Sequence, residues 1–518
     1  MKHQKTILII LDGWGITKAS KGNAITLAKL PTYDYLLRTY ANTTLIASGT
    51  KVGLPKTQDG NSEAGHMNIG AGRIIKQDDV YITNAIKDGT FFKNPAFLEA
   101  IRHAKTNKSN IHLLGLLTGI QSAHVDPKHL DQLLSLLKKE GIKKVYLHLF
   151  SDGRDAPKYE SVSYLKRLKA EFRNGEKIAS ISGRFYAMDR NKKWKNTEKA
   201  YKAIVNGVGY KANSAEEAIT QAYNRGESDE FINPTVIVDK NNKPIGKIED
   251  NDSIIFFNLR SDRTRQLTKL FVQKNICDRN KNCKINRNKL KNLRFVSMSD
   301  FGPDLDDVLT AFPSRDLVET LPMQLKKYRQ LYISESEKYA HITYFFNGGY
   351  KDPVAGEFRE MIPSPNIDSY DQKPEMSSYK ILKKLQDYIA NDKYDFYVVN
   401  FASPDMVAHT GNLQAGIKAV ESIDKCLKDL CQVVKKSKNM SMIITADHGN
   451  VEEMINLKTG EIDTKHSSNP VPFILVDERF KNKKLRKDGI LGDIAPTILD
   501  IMDLPKPKLM SGKSLLRK

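Results

Sequence analysis

Short, unbroken apolar runs separated by amphipathic segments limit what this chain can fold into. Ile7 to Leu11, Ile111 to Leu117, Val145 to Phe150, Ile178 to Ile181, Ile254 to Phe257, Phe396 to Val399 and Met442 to Thr445 are each only a few residues long and rich in Ile, Val, Leu and Phe. Runs this short match strands buried on both faces, while stretches such as Leu130 to Lys139 repeat their apolar residues at helical spacing. The alternation predicts βαβ units and an α/β fold of mostly parallel sheets covered by helices.

A chain of 518 residues exceeds what one hydrophobic core usually serves, so two domains are expected. Its 40% apolar and 28% charged content is that of a soluble globular protein. The apolar run near the start ends in Asp12, too short for a signal-peptide core and far too short to cross a bilayer. A cytoplasmic protein with no membrane partner is expected. Cys277, Cys283, Cys426 and Cys431 fall at spacings that fit neither a zinc pattern nor a disulfide framework, which predicts free thiols. The net charge of +21 comes mostly from scattered lysines. One dense basic run, Lys274 to Arg294, is relieved only by Asp278 and has few aromatics for base stacking, so it reads as a solvated surface and no nucleic-acid partner is expected.

The residues just past each apolar run carry the chemical signal, because ligands gather at the carboxyl ends of strands in open α/β sheets. Asp12 comes directly after the first run, Asp405 soon after Phe396 to Val399, and Asp447 and His448 after Met442 to Thr445. A second set lies wholly between them: His124, then Asp152, Arg154 and Asp155, then Arg184 and Arg190, then Arg260 and Arg263. Two sets imply two sheets. The simplest organisation inserts one domain, residues 77–311, into another made of residues 1–76 and 312–518, with crossings near Ile75 to Asp78 and Gly302 to Pro313.

Asp405 and His409 are four apart and would share one helix face, whereas the adjacent Asp447 and His448 point in different directions and suit a centre of two ions. With Asp12 and His466 they mix carboxylates and imidazoles, donors that suit borderline divalent cations held about 3.5 to 4 Å apart. Ser62, in Gly60-Asn61-Ser62-Glu63-Ala64-Gly65, is either a helix N-cap or a nucleophile. The second role requires help, since a free hydroxyl is a poor nucleophile and a bound divalent cation favours its alkoxide. Arg184, Arg190, Arg260, Arg263 and Lys338 fit a small acid carrying carboxylate and phosphate. Asp152-Gly153-Arg154-Asp155 is either a proton shuttle or a plain turn.

These residues resemble the cofactor-independent phosphoglycerate mutases of the alkaline phosphatase superfamily. Matching stretches run almost end to end, among them Asp12 to Gly15, Asn61 to Asn68, His148 to Pro157, Ser182 to Arg190, Asn258 to Arg263, Ser334 to Gly349, Pro404 to Gly411, Thr445 to Met454 and His466 to Pro472. Ser261, Ala408 and Ser467-Ser468 depart from the usual pattern without replacing a ligand. The resemblance implies one metal on Asp405, His409 and His466, and a second on Asp12, Ser62, Asp447 and His448. It implies substrate positions at His124, Arg154, Asp155, Arg184, Arg190, Arg260, Arg263 and Lys338, with Ser62, Asp155 and Lys338 catalytic. The two chain ends would form a phosphatase-like domain and the insertion a phosphotransferase domain. Two divalent cations are implied, Mn²⁺ expected and Mg²⁺ the alternative, with no 2,3-bisphosphoglycerate. 3-Phosphoglycerate, bound between the domains of a monomer, would become 2-phosphoglycerate through a phosphoserine on Ser62. A hydrolase or sugar-phosphate mutase of the same superfamily is the nearest rival, and the Asp152 to Asp155 segment with the arginines favours the glycerate acid.

Overall fold

The computed structural model describes residues 5–517 apart from positions 121, 281, 282, 286, 288, 303, 315, 438 and 482. The chain forms two compact units, Met1–Gln77 with Arg315–Lys518, and Asp78–Ser314. Each is an α/β unit with its own eight-stranded, mostly parallel sheet. The expected fold class is what the structure shows.

In the first unit the strands run, across the sheet, Phe358–Ile362, Gln330–Glu335, Phe396–Phe401, Lys5–Leu11, Met440–Thr445, Val471–Val476, Ala41–Ile46 and Gly489–Ile490. Among the described strands of this sheet, only the two pairings of Val471–Val476 are antiparallel. The central strands bury both faces: Ile7 to Leu11 and Val398 to Val399 have no exposed surface. The long helix Leu413–Lys436 turns Val420, Ile423, Leu427 and Leu430 into that core and is opened by Asn412, whose side chain accepts from Ala415 N.

The second sheet runs Val308–Phe312, Arg294–Ser299, Ser253–Phe256, Ile111–Leu117, Val145–Ser151, Lys177–Gly183, Thr235–Ile237 and Tyr210–Ala212, with one antiparallel pairing, between Lys177–Gly183 and Thr235–Ile237. Its core is separate and includes Leu113, Leu133, Leu147, Phe256 and Phe295.

Register sets the functional residues side by side. Leu11 lies opposite Phe401 and Ile10 opposite Thr445, so Asp12, the Ser403–Ala408 helix and Asp447 leave the same edge of the first sheet. Leu117 lies opposite Ser151 and Ser151 opposite Gly183, so Thr118, Asp152 and Arg184 leave one edge of the second.

One expectation is corrected. Cys277 and Cys283 are joined as a disulfide, their Cα atoms 4.8 Å apart and within bridging range. Cys426 and Cys431 are free and buried in the Leu413–Lys436 helix. Of the basic run, positions 281, 282, 286 and 288 lie outside the described residues, while Lys274, Lys284, Lys289 and Lys291 are exposed. Among the described residues no helix is long and apolar enough to cross a membrane.

Candidate functional site

In the first unit Asp12, Ser62, Asp405, Asp447 and His448 are buried, His466 is half-buried and His409 is exposed. Ser62 opens the helix Ser62–Ala71, but the capping role falls to Asn61, whose side chain accepts from Ala64 N at 2.9 Å. The serine hydroxyl is therefore free for other work. Its Oγ lies 2.9 Å from His448 Nε2, 3.3 Å from Asp12 Oδ1 and 2.9 Å from Lys338 Nζ. Lys338, on the turn after Gln330–Glu335, also donates to Asp12 Oδ1 at 2.6 Å and Asp405 Oδ2 at 2.7 Å. Lys338 thus stands with the carboxylates of the first unit.

His409, His466 and Asp405 form one donor group. Each imidazole makes its Nδ1 contact with a carbonyl, His409 with Thr464 at 2.8 Å and His466 with Gly60 at 2.9 Å. A carbonyl only accepts, so each Nδ1 carries the proton and each ring, when neutral, aims an Nε2 lone pair inward; against burial, Asp405 raises His409 above its ordinary value. Those two Nε2 atoms are 3.0 Å apart and lie 3.4 and 3.5 Å from Asp405 Oδ1. Two Nε2 atoms this close beside a carboxylate oxygen call for a positive charge among them, a proton or a metal cation, and a carbonyl on the far nitrogen is the usual brace of a metal-binding histidine.

The second group centres on Asp12 and Asp447. Asp447 Oδ2, fully buried, meets no donor at good hydrogen-bond geometry among the described residues, with His66 Nδ1 at 3.2 Å and His448 Nε2 at 3.5 Å. His448 faces both groups: ligand atoms of Asp405, His448 and His466 fall within 4.8 Å of one another, as do those of Asp12, His66 and Asp447. The resemblance had placed His448 with the second group alone.

Charge points the same way. Three buried carboxylates surround one ammonium, and uncompensated buried charge is costly. Burial, then Asp447, pushes Asp12 up to about 6. Burial also works against the charge of Lys338, but Asp12, Asp405 and Asp447 outweigh it and hold the ammonium firmly protonated. Against burial, Lys338 and His409 hold Asp405 low, and His448 and His66 do the same for Asp447. A carboxylate oxygen without a well-placed donor, two inward-facing Nε2 atoms and three buried carboxylates together fit divalent cations.

In the second unit Arg184 is buried and its Nη1 meets Asp152 Oδ1 at 2.6 Å and Asp155 Oδ2 at 2.9 Å. Ser122 Oγ donates to Asp155 Oδ2 at 2.9 Å, and His124 Nε2 lies 3.9 Å from the same oxygen. Asp152 also takes the Thr118 hydroxyl at 2.5 Å and the backbone N–H of Arg154 and Asp155, so the segment is a braced turn. Arg190 meets Asp262 at 2.8 Å, Arg260 lies 3.9 Å from it, and the exposed Arg154 lies 3.7 Å from Glu230.

Arg263 donates to the Met188 carbonyl at 3.3 Å. Burial, then Arg184, Arg190 and Arg154, lowers it to about 10. Guanidinium groups crowded closely enough to disturb one another form a site for anionic oxygens. Burial, then Arg184, lowers His124 to about 4, so it is neutral and can donate or accept.

Sequence reasoning missed His66, Asn400, Asn450, Glu452 and Asp262. Asn400 donates to Asp12 Oδ2 at 2.7 Å and lies 3.1 Å from His66 Nε2; Asn450 donates to Asp405 Oδ1 at 2.7 Å. Only His66 had a legible signal, standing four residues after Ser62 on the same helix.

Residues 4–506 match the family model of the metalloenzyme superfamily. The chain is 48% identical over its full length to the whole 2,3-bisphosphoglycerate-independent phosphoglycerate mutase of Clostridioides difficile (strain 630). It is 47% identical to 2,3-bisphosphoglycerate-independent phosphoglycerate mutase 1 of Methanosarcina acetivorans, over 99% of this chain and 98% of that one. A solved structure of Leishmania mexicana phosphoglycerate mutase at low cobalt concentration aligns with 100% of this chain and 98% of its own, at a TM-score of 0.79 and 27% identity. The chain therefore belongs to the metalloenzyme superfamily and, within it, to the 2,3-bisphosphoglycerate-independent phosphoglycerate mutases.

Proposed function

We propose that the chain interconverts 3-phosphoglycerate and 2-phosphoglycerate by passing the phosphoryl group through Ser62. The observation that carries this reading is the position of the Ser62 hydroxyl, uncommitted to capping and in contact with Lys338, His448 and Asp12 at once. Two divalent cations held by Asp405, His409 and His466 and by Asp12, Ser62, Asp447 and His448 would favour the serine alkoxide and offset phosphoryl charge; Mn²⁺ is the ion proposed, Mg²⁺ the alternative.

Ser62 Oγ attacks phosphorus, the bond from phosphorus to the 3-oxygen breaks, and glycerate and phosphoserine result. The 2-hydroxyl then attacks the phosphoserine, and Ser62 is released. Lys338 offsets charge on the phosphoryl oxygens throughout. Arg154, Arg184, Arg190, Arg260 and Arg263, with His124, hold the glycerate carboxylate and hydroxyls. Asp155 carries the proton between the 3-oxygen and the 2-hydroxyl. It gives its proton to the departing 3-oxygen and, as the carboxylate so formed, takes the proton of the 2-hydroxyl; burial opposes its charge but Arg184 holds its carboxyl below the usual range, which favours the first of these transfers.

Acid quenching during turnover of 3-phosphoglycerate with Mn²⁺, then peptide mapping, should find phosphate on the Ser62 peptide. An unlabelled Ser62 in a protein that is turning over would overturn the route.

A further inference from the structure

Glu452 belongs to neither donor group, yet its carboxylate is 1% exposed and fully engaged. Oε2 accepts the backbone N–H of Gly15 at 3.0 Å and of Asn450 at 2.8 Å. Oε1 accepts the Asn469 amide at 3.0 Å and the Ser467 hydroxyl. Gly15 ends the turn that carries Asp12, Asn450 comes after Asp447 and His448, and Ser467 is next to His466. One carboxylate therefore ties together three loops, each bearing donors to the metal groups. Asn450 extends the reach to a fourth, since its side chain donates to Asp405 Oδ1.

The surroundings are shaped to this group. A Cβ at either Gly15 or Gly449 would overlap the Glu452 carboxyl, so both glycines leave the room it occupies. Backbone bonds also join the loops, Val451 N to the Gly13 carbonyl at 3.0 Å, Ser467 N to the Gly449 carbonyl at 2.9 Å and Ile16 N to the Pro470 carbonyl at 2.7 Å.

We propose that Glu452 is a positioning residue of the metal centre, a charge-assisted clamp that fixes the Asp12, Asp447-His448 and His466 loops without touching ion or substrate. The inference rests on the reading that those loops hold two cations. Four donors converge on two oxygens, and a neutral amide supplies only one acceptor oxygen, so Glu452→Gln must leave one pair of donors without its acceptor.

The test is Mn²⁺ binding to the metal-free full-length protein, monitored by paramagnetic resonance, alongside the melting temperature of the same samples. Wild type should take two Mn²⁺. Glu452→Gln should melt near wild type yet bind Mn²⁺ roughly 10- to 100-fold more weakly, the usual effect of losing an outer partner of a metal ligand. A merely structural role would lower the melting temperature and leave affinity unmoved, and equal affinity in folded Glu452→Gln overturns the proposal. Should that variant not fold, Ser467→Ala, which removes one arm of the clamp, decides: about tenfold weaker binding is expected, and unchanged binding overturns it. Wild type that binds no Mn²⁺ would instead remove the underlying reading of the site.

Discussion

Lys338 shows most plainly how single side chains set this chemistry. An ammonium with almost no exposed surface persists only because three carboxylates outweigh the penalty of burying it, and it touches the proposed nucleophile as well. Lys338→Met keeps the stem and removes the charge. If Lys338 offsets charge on the phosphoryl group in flight, kcat should fall by roughly 10²- to 10³-fold, the range found when one preorganised donor is deleted. Steady-state kinetics check this, and a kcat within twofold of wild type would show that Lys338 only balances charge at rest. Arginine should not restore the rate, because a planar fork cannot occupy the place of a compact ammonium between Asp12, Asp405 and Ser62.

The strands explain both what the sequence reveals and what it hides. Ile7 to Leu11 and Ile111 to Leu117 were legible because a strand covered on both faces needs an unbroken apolar run. Ala41–Ile46 was not, because it alternates buried and exposed residues near one side of its sheet; Val471–Val476 contains Pro472; Thr235–Ile237 and Tyr210–Ala212 are three residues each. The same division runs through the site. Charged ligands at strand ends stand out, whereas Asn400, Asn450 and Glu452 act through hydrogen bonds to loops distant in sequence, which no spacing rule encodes.

A buried polar chain also crosses neighbouring strands of the second sheet: Asp252 Oδ2 to His112 Nε2 at 3.1 Å, His112 Nδ1 to His148 Nε2 at 3.0 Å, and His148 Nδ1 to Ser180 Oγ at 2.8 Å. Burial, then His112, holds His148 well below 6.5. Below about pH 6.5 the unfolded chain therefore takes up a proton that folded His148 refuses. The unfolded state binds more protons, so stability falls as pH drops, by up to about 1.4 kcal/mol per pH unit for this one site. Denaturant unfolding between pH 7 and 5 should show a shallower loss in His148→Gln than in wild type. Identical slopes would mean that His148 titrates alike in both states.

As a whole molecule, the chain assembles two α/β units with separate cores and opposite electrostatic demands. The first gathers carboxylates and inward-facing imidazole nitrogens that suit cations, and the second gathers guanidinium groups that suit an anion. A phosphorylated hydroxy acid processed with divalent metal answers both, and neither unit alone contains both parts of that chemistry. The most direct test supplies the purified full-length protein with 3-phosphoglycerate and Mn²⁺, leaves out 2,3-bisphosphoglycerate, and detects product with enolase. The account predicts 2-phosphoglycerate at a rate that disappears when Mn²⁺ is chelated and returns when it is restored; inorganic phosphate released with no 2-phosphoglycerate would contradict it.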